Sequence, residues 1–165
     1  FLVSKGNIGV FVKAEEGVPP AGYKNPSVRY YDKKRNLLVR YEGTKAWRCN
    51  NPGNIKYVKG GFAMRHGAIG FAMGFAVFPN EFSGRVALRI RLKTGEFPTY
   101  TLDKFAEVWE PDNIANYKRM LHDISRLPLE KKIKDLTSKE FERFRIAIER
   151  IEGWEAGWEE LYPAS

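Results

Sequence analysis

The stretch Trp47-Arg48-Cys49-Asn50-Asn51-Pro52-Gly53-Asn54-Ile55 is the most informative segment of this 165-residue chain. Asparagine and glycine tolerate positive φ, and asparagine side chains also hydrogen-bond to nearby backbone. The segment therefore predicts a rigid turn, followed by a strand over residues 55–58. Neutral amides beside a tryptophan suit a sugar or a peptide, since such ligands offer hydroxyls, amides and apolar faces. We expect the substrate-binding residues to be Trp47, Arg48, Asn50, Asn51 and Asn54. The alternative is that the asparagines only hold the turn's backbone.

The rest of the first half predicts short strands and loops. Residues 2–16, which hold an apolar run over 10–14, fit a short strand or one or two helical turns, and Gly17 and Pro19-Pro20 then stop any regular element. Residues 18–36 are rich in Pro, Gly, Tyr and Lys and are predicted as loop. Residues 37–41 fit a strand, and residues 75–78 fit a buried strand that ends at Pro79.

The second half predicts about four helices. Helical spacing of apolar residues covers 81–93, 102–109 and a segment from Asp112 to about His122. Thr137 and Glu140 form a capping box at the start of a fourth helix that runs to Glu152. The predicted class is α+β, with a small strand and loop lobe followed by a helical lobe, in one domain over residues 1–165. Because the chain begins at Phe1, we interpret it as the C-terminal module of a longer protein.

Charge and composition limit the classes of function. The net charge is +8, and residues 1–100 carry 17 Lys and Arg against 6 Asp and Glu. Such a field attracts a polyanion, for which nucleic acid, anionic lipid and an acidic wall polymer all qualify, or it only keeps the surface soluble. With one cysteine and two distant histidines, a zinc-dependent mechanism is not expected, and no cofactor or metal is predicted. No run of 18 apolar residues is present, so no membrane span is predicted.

Four segments follow one another along the chain: Asn50–Ile55, Phe75–Gly84, Thr101–Asn113 and Ala147–Gly153. Their order resembles a family of phage virion-associated and bacterial toxin domains. That family's pattern runs roughly NNPGNI, then FAVFP with a glycine shortly after, then an acidic-Pro-Asn segment before a helix, then AI with Glu-Gly at a helix end. The stretch Arg40–Arg48 resembles the toxin branch in particular, and the whole resemblance covers about residues 40–157.

The resemblance implies a lysozyme-like fold and cleavage of peptidoglycan. For the toxin branch it implies a secreted antibacterial effector that is delivered to the bacterial periplasm. It further implies a cognate immunity protein that blocks the cleft, often with an acidic face. A second similarity, to glucosaminidases and lytic transglycosylases, implies a catalytic Glu at a helix C-terminus. Here the best helix-end Glu follows the strand lobe, so this similarity requires a circularly permuted order.

Cleavage of a glycosidic bond needs a carboxylic acid that protonates the leaving oxygen in an apolar setting. Glu152 is the first choice, because it ends the most amphipathic helix beside Ile151 and Trp154. Glu42 is the second choice and Glu110 the third; the alternative for each is an ordinary surface charge or ion pair. A non-permuted lysozyme would instead use one carboxyl of the pair Glu15-Glu16. A tryptophan, Trp47 or Trp109, is expected to stack on a sugar ring unless it belongs to the core.

Three classes of function are therefore compared. The leading prediction is a glycoside hydrolase that acts on peptidoglycan as a muramidase, a glucosaminidase or a lytic transglycosylase. A nuclease toxin is suggested only by the basic first half, and no histidine pair, acidic metal cluster or helix-turn-helix pattern supports it. The third class is a non-catalytic wall-binding module, in which replacing any single Glu would leave function intact.

Overall fold

The computed structural model describes residues 8–165, which form six strands and six α-helices. The α+β class predicted from the sequence is confirmed. Contacts divide the chain into two compact units. The first contains the described residues up to Ala87 together with Gly153–Ser165, and the second is Leu88–Glu152.

The first unit is built on one six-stranded sheet. Its strands are β1 Phe11–Gly17, β2 Ser27–Asp32, β3 Leu37–Tyr41, β4 Gly70–Ala72, β5 Phe75–Val77 and β6 Trp158–Tyr162. The spatial order is β5-β4-β1-β2-β3-β6. Only the pairing of β1 with β4 is parallel, and the other four pairings are antiparallel. Two short helices, α1 Lys45–Arg48 and α2 Phe62–Arg65, lie in the connection between β3 and β4.

Alternation along β2 and β3 gives the sheet one apolar core face. Val28 and Tyr30 on β2 are fully buried, and the Tyr30 hydroxyl donates a hydrogen bond to the carbonyl of Arg48. Burial in this core raises the pKa of Tyr30 well above its usual value. The buried cluster contains Ala14, Val28, Tyr30, Leu38, Cys49, Ala72 and Val77. Cys49 thus packs the Asn-rich turn against the core face of the sheet.

Three local predictions differ from the structure. Residues 18–36 contain β2, because Val28 and Tyr30 alternate with more exposed residues and bury one face. Residues 55–58 form no strand, and only Lys56 makes an isolated bridge, to Phe75. Strand β6 was not predicted, since its residues become a strand by pairing with β3, more than a hundred residues earlier in the chain.

Helices follow the sheet segment and form the second unit. They are α3 Glu81–Leu92, whose first seven residues belong to the first unit, α4 Leu102–Trp109, α5 Ile114–Ser125 and α6 Ser138–Glu152. The predicted capping box is confirmed: the N–H of Glu140 donates to Thr137 Oγ1 at 3.2 Å, and the N–H of Thr137 donates to Glu140 Oε1 at 2.9 Å. Helix α5 is followed by its C-cap, Arg126, whose left-handed φ of 60° terminates the helix.

An aromatic core holds the second unit together. Phe105 lies at its centre, with ring centroids 5.0 Å from Trp109, 5.0 Å from Phe144 and 5.4 Å from Phe97. Trp109 therefore packs on its own unit's core, in line with the core alternative for this tryptophan. In the described part of the chain, no helix has the length and the hydropathy that crossing a bilayer requires.

Candidate functional site

The Asn-rich turn is built by left-handed backbone at two of its asparagines. Asn50 has a φ of 50° and Asn54 a φ of 49°, a region that asparagine adopts more readily than most residues. Between them, Asn51 is fully buried. Its Oδ1 accepts the N–H of Ile55 at 2.9 Å, and its Nδ2 donates to the carbonyls of Ile55 and Ala76, both at 2.9 Å. Asn51 therefore clamps the turn to β5 from inside.

Arg48 is held inside the same turn. Only 2 % of its surface is exposed, and its Nη1 donates to the carbonyls of Glu42 at 2.9 Å and Gly43 at 2.7 Å. Gly43 has a φ of 64°, and a Cβ there would lie 2.4 Å from the carbonyl oxygen of Glu155. These contacts stabilise the return of the chain toward β6. Arg48 and Asn51 thus both hydrogen-bond to backbone inside the fold, and for Asn51 this is the alternative that the sequence left open for the asparagines.

A groove of about 400 Å³ opens in the first unit beside this turn. Two of the residues predicted to bind substrate, Trp47 and Asn50, contribute to its lining. The structure adds five residues that the sequence analysis did not select: Arg40, Asn80, Glu81, Trp154 and Glu159. Its apolar surface comes from residues such as Phe11, Leu38 and Leu161. Aromatic rings, amides and carboxylates thus line one concave surface, a combination typical of ligand sites.

Arg40 organises the polar side of the groove. Its guanidinium lies over the Trp47 ring, 4.4 Å from the centroid, and its Nη1 donates to Asn50 Oδ1 at 2.9 Å and to the carbonyl of Trp47. Its Nε lies 3.4 Å from Glu159 Oε1. Because β6 pairs with β3 in register Arg40 to Glu159, the pairing of two strands places this ion pair. The arginine therefore fixes an aromatic ring, an amide and a carboxylate together.

A second group of candidate residues lies in the second unit, around Tyr117 of α5. Burial raises the pKa of Tyr117 well above its usual value, and the nearby carboxyl groups of Glu152 and Glu110 raise this pKa further. Glu152 ends α6 and Glu110 caps α4, and both are half-buried. The Tyr117 hydroxyl is buried. Two of the three predicted catalytic carboxyls therefore act electrostatically on one phenol.

The other carboxyl candidates belong to the first unit. Glu42 has a φ of 54°, and its Oε2 accepts a hydrogen bond from Asn25 Nδ2 at 2.8 Å. Glu15 Oε1 accepts from the Tyr31 hydroxyl at 3.0 Å, and Glu16 Oε1 accepts from the N–H of Met73 at 2.6 Å. Each of these three carboxyls therefore accepts a hydrogen bond from a group of its own unit.

Within residues 8–165, no cluster of three or more His, Cys, Asp or Glu side chains is arranged to hold a metal ion. Cys49 is a buried free thiol. No protein-family model and no curated protein matches this chain.

Sequence reasoning missed Glu159 and Trp154 because both depend on the C-terminal return of the chain. The stretch Trp158-Glu159-Glu160-Leu161-Tyr162 carries no alternation of apolar and polar residues, because two acids stand side by side and two apolar residues follow them, so the sequence contains no clear strand signal there. Glu81 was assigned only to the start of a helix. The sequence offered no signal that would bring it to the same groove as Glu159.

Proposed function

We propose that this chain is a lysozyme-like glycoside hydrolase that cleaves the glycan strand of peptidoglycan, with Glu152 as the general acid. The observation that carries this proposal is that the half-buried carboxyls of Glu152 and Glu110 both raise the pKa of the buried Tyr117 hydroxyl. Both carboxyls were selected from the sequence on separate grounds, and they lie about 40 residues apart in the chain.

The chemistry follows from these three side chains. In glycosidases one carboxyl group protonates the leaving oxygen, and a second acts as nucleophile or base. On this proposal Glu152 takes the first role and Glu110 the second. The Tyr117 hydroxyl is protonated at neutral pH, so it is uncharged and available as a hydrogen-bond donor to a carboxylate.

The biological setting is part of the same proposal. The resemblance to the toxin branch supports an antibacterial effector that meets its substrate in the periplasm of the target cell. The net charge of +8 supports a substrate whose peptides carry carboxylates. A producing cell would then need an immunity protein that blocks the site.

The test is digestion of purified peptidoglycan sacculi, with soluble muropeptides identified by mass spectrometry. The proteins are the wild type, Glu152→Gln, Glu110→Gln and a matched control, Glu130→Gln. Glu130 is exposed and lies in the same unit. Since general acid catalysis contributes about 100-fold or more, Glu152→Gln is expected to lose product release by at least about that factor. The control should keep wild-type activity.

The products also separate two mechanisms. If Glu110 activates water or forms a covalent intermediate, muropeptides end in reducing sugars and Glu110→Gln is also inactive. If the substrate's own hydroxyl attacks, anhydro-sugar ends appear and Glu110→Gln keeps part of the activity. Absence of soluble product with the wild-type protein would refute the hydrolase. Full activity of Glu152→Gln would refute its role as the acid.

A further inference from the structure

We infer that the groove of the first unit is a binding site for an uncharged sugar ring, with Trp154, Glu81 and Glu159 as its recognition residues. The site lies entirely within residues of the first unit. It goes beyond the proposed cleavage reaction, because it needs no catalytic carboxyl. A wall-binding module without enzymatic activity would use it equally well.

The apolar part of the groove suits the face of a pyranose ring. Trp154 is 37 % exposed at the groove, whereas Trp47 is 6 % exposed and lies under Arg40. Trp47 therefore supports the wall, and Trp154 is the ring that remains open to a ligand. The C–H face of a sugar packs on such an aromatic surface, and its hydroxyls point outward to polar groups.

The polar part of the groove offers acceptors and an amide for those hydroxyls. Glu159 is held by Arg40 at 3.4 Å, and Glu81 is held by Arg85 at 2.9 Å. Asn80 Oδ1 accepts a hydrogen bond from the N–H of Ser83 at 2.8 Å, so the Asn80 amide nitrogen can donate to another group. Charged acceptors form the stronger hydrogen bonds with hydroxyl donors. The three side chains thus provide both acceptors and a donor.

Charge distinguishes this ligand from a polyanion. The first unit carries 14 Lys and Arg against 8 Asp and Glu over its whole sequence, so its surface is basic. The lining of the groove reverses this balance, with two carboxylates and one guanidinium. A phosphate or sulfate placed there would meet two carboxylates that are already paired with Arg40 and Arg85, so the groove offers an anion no net attraction. An uncharged, hydroxyl-rich ligand does not depend on such an attraction.

The groove is also rigid where recognition occurs. Asn50 is 4 % exposed, and its amide bonds both Arg40 and the carbonyl of Phe78, at 2.9 and 3.2 Å. Gly84 lets α3 approach this turn, because a Cβ at that position would lie 2.0 Å from the carbonyl oxygen of Asn50. The turn therefore positions one wall of the groove before any ligand arrives, which reduces the ordering cost of binding.

The test is calorimetric titration of the full chain with tetra-N-acetylchitotetraose, a neutral oligosaccharide. The Glu152→Gln background prevents cleavage, so that binding is measured apart from catalysis. Trp154→Ala is expected to weaken the affinity by roughly tenfold or more. The matched control is Trp158→Ala, because Trp158 is 36 % exposed in the same unit but does not line the groove. Its affinity should remain within about twofold of the parent.

Two further variants guard against a purely structural effect. Trp154→Phe should recover most of the affinity, and Glu81→Gln should weaken it, while each variant keeps the parent's melting temperature. Absence of binding by the Glu152→Gln parent would overturn the inference, as would equal affinities for Trp154→Ala and Trp158→Ala. Binding by the Glu152→Gln parent, together with no product released from sacculi by the wild-type protein, would refute the hydrolase alone and leave this site standing.

Discussion

Replacing Asn51 by alanine should lower the free energy of unfolding of the first unit more than any surface substitution in the same turn does. The side chain is fully buried and makes three hydrogen bonds of 2.9 Å, to the N–H and carbonyl of Ile55 and to the carbonyl of Ala76. With alanine, the Ile55 carbonyl still accepts the N–H of Ala76 at 2.9 Å, whereas the Ile55 N–H and the Ala76 carbonyl lose this side-chain partner. Since a buried polar group that loses its partner costs about 1–3 kcal/mol, we expect a loss of about 4 kcal/mol in the free energy of unfolding.

Urea denaturation followed by tryptophan fluorescence measures this loss. Three of the four tryptophans, Trp47, Trp154 and Trp158, belong to the first unit, so the signal reports mainly on that unit. The urea midpoint should fall while the slope stays constant. The melting temperature should fall by about 8–16 °C, at about 2–4 °C per kcal/mol for a chain of this size.

Two companion variants sharpen the Asn51 experiment. Asn51→Asp keeps one acceptor but turns a second oxygen toward two carbonyl groups, so it should destabilise at least as much as alanine. Lys59→Ala is the control, because Lys59 is exposed in the first unit, and it should change stability by less than about 0.5 kcal/mol. A cost below about 1 kcal/mol for Asn51→Ala would refute the clamp and return Asn51 to the ligand-binding candidates.

Three other outcomes are expected. Burial raises the pKa of Cys49 to about 12, so Ellman's reagent at pH 8 should label this thiol only after denaturant unfolds the protein, and prompt labelling of the native protein would contradict its burial. The backbone N–H of Thr137 and the ammonium of Lys131 lower the pKa of Glu140 to about 2. The stability that the ionised Glu140 contributes should be complete above pH 4.5 and should disappear as the pH falls through about 2. Urea titrations in acid should therefore show that the difference in free energy of unfolding between wild type and Glu140→Gln closes. Raising the salt concentration from about 0.1 to about 1 M shortens the Debye length from about 10 to 3 Å. The fraction of protein that sediments with sacculi should therefore fall, while the affinity for the neutral chitotetraose stays unchanged.

Local sequence signals predicted the parts of the fold that local interactions determine. The Thr137 and Glu140 spacing gave the start of α6, and Gly153 marked its end, because caps and helical periodicity involve residues a few positions apart. The strand at 37–41 was also predicted correctly. By contrast, β6 exists through its pairing with β3, a contact that no short window of sequence contains.

The candidate site shows the same division. Asparagines at positive φ were predicted as a turn, and that prediction is confirmed at Asn50 and Asn54. Which asparagine faces inward was not predictable, since Asn51 is buried only because β5 brings the Ala76 carbonyl beside it. The groove residues Glu81 and Glu159 come from distant parts of the first unit's sequence. They line the same groove because of the sheet, and no interaction between residues close in sequence predicts this.

The charge pattern of the first unit favours a polymer that is neutral at its rings and anionic at its substituents. Its carboxylates in the groove are held by their own arginines, Glu159 by Arg40 and Glu81 by Arg85, so the groove itself offers no net attraction to an anion. Its excess of lysine and arginine over the whole sequence acts at longer range. A nucleic acid carries phosphate at every nucleotide, and any ring that entered the groove would bring phosphates toward two carboxylates. A peptidoglycan strand carries its carboxylates mainly on peptides that extend away from the glycan, so its uncharged rings can enter while its peptides meet the basic surface.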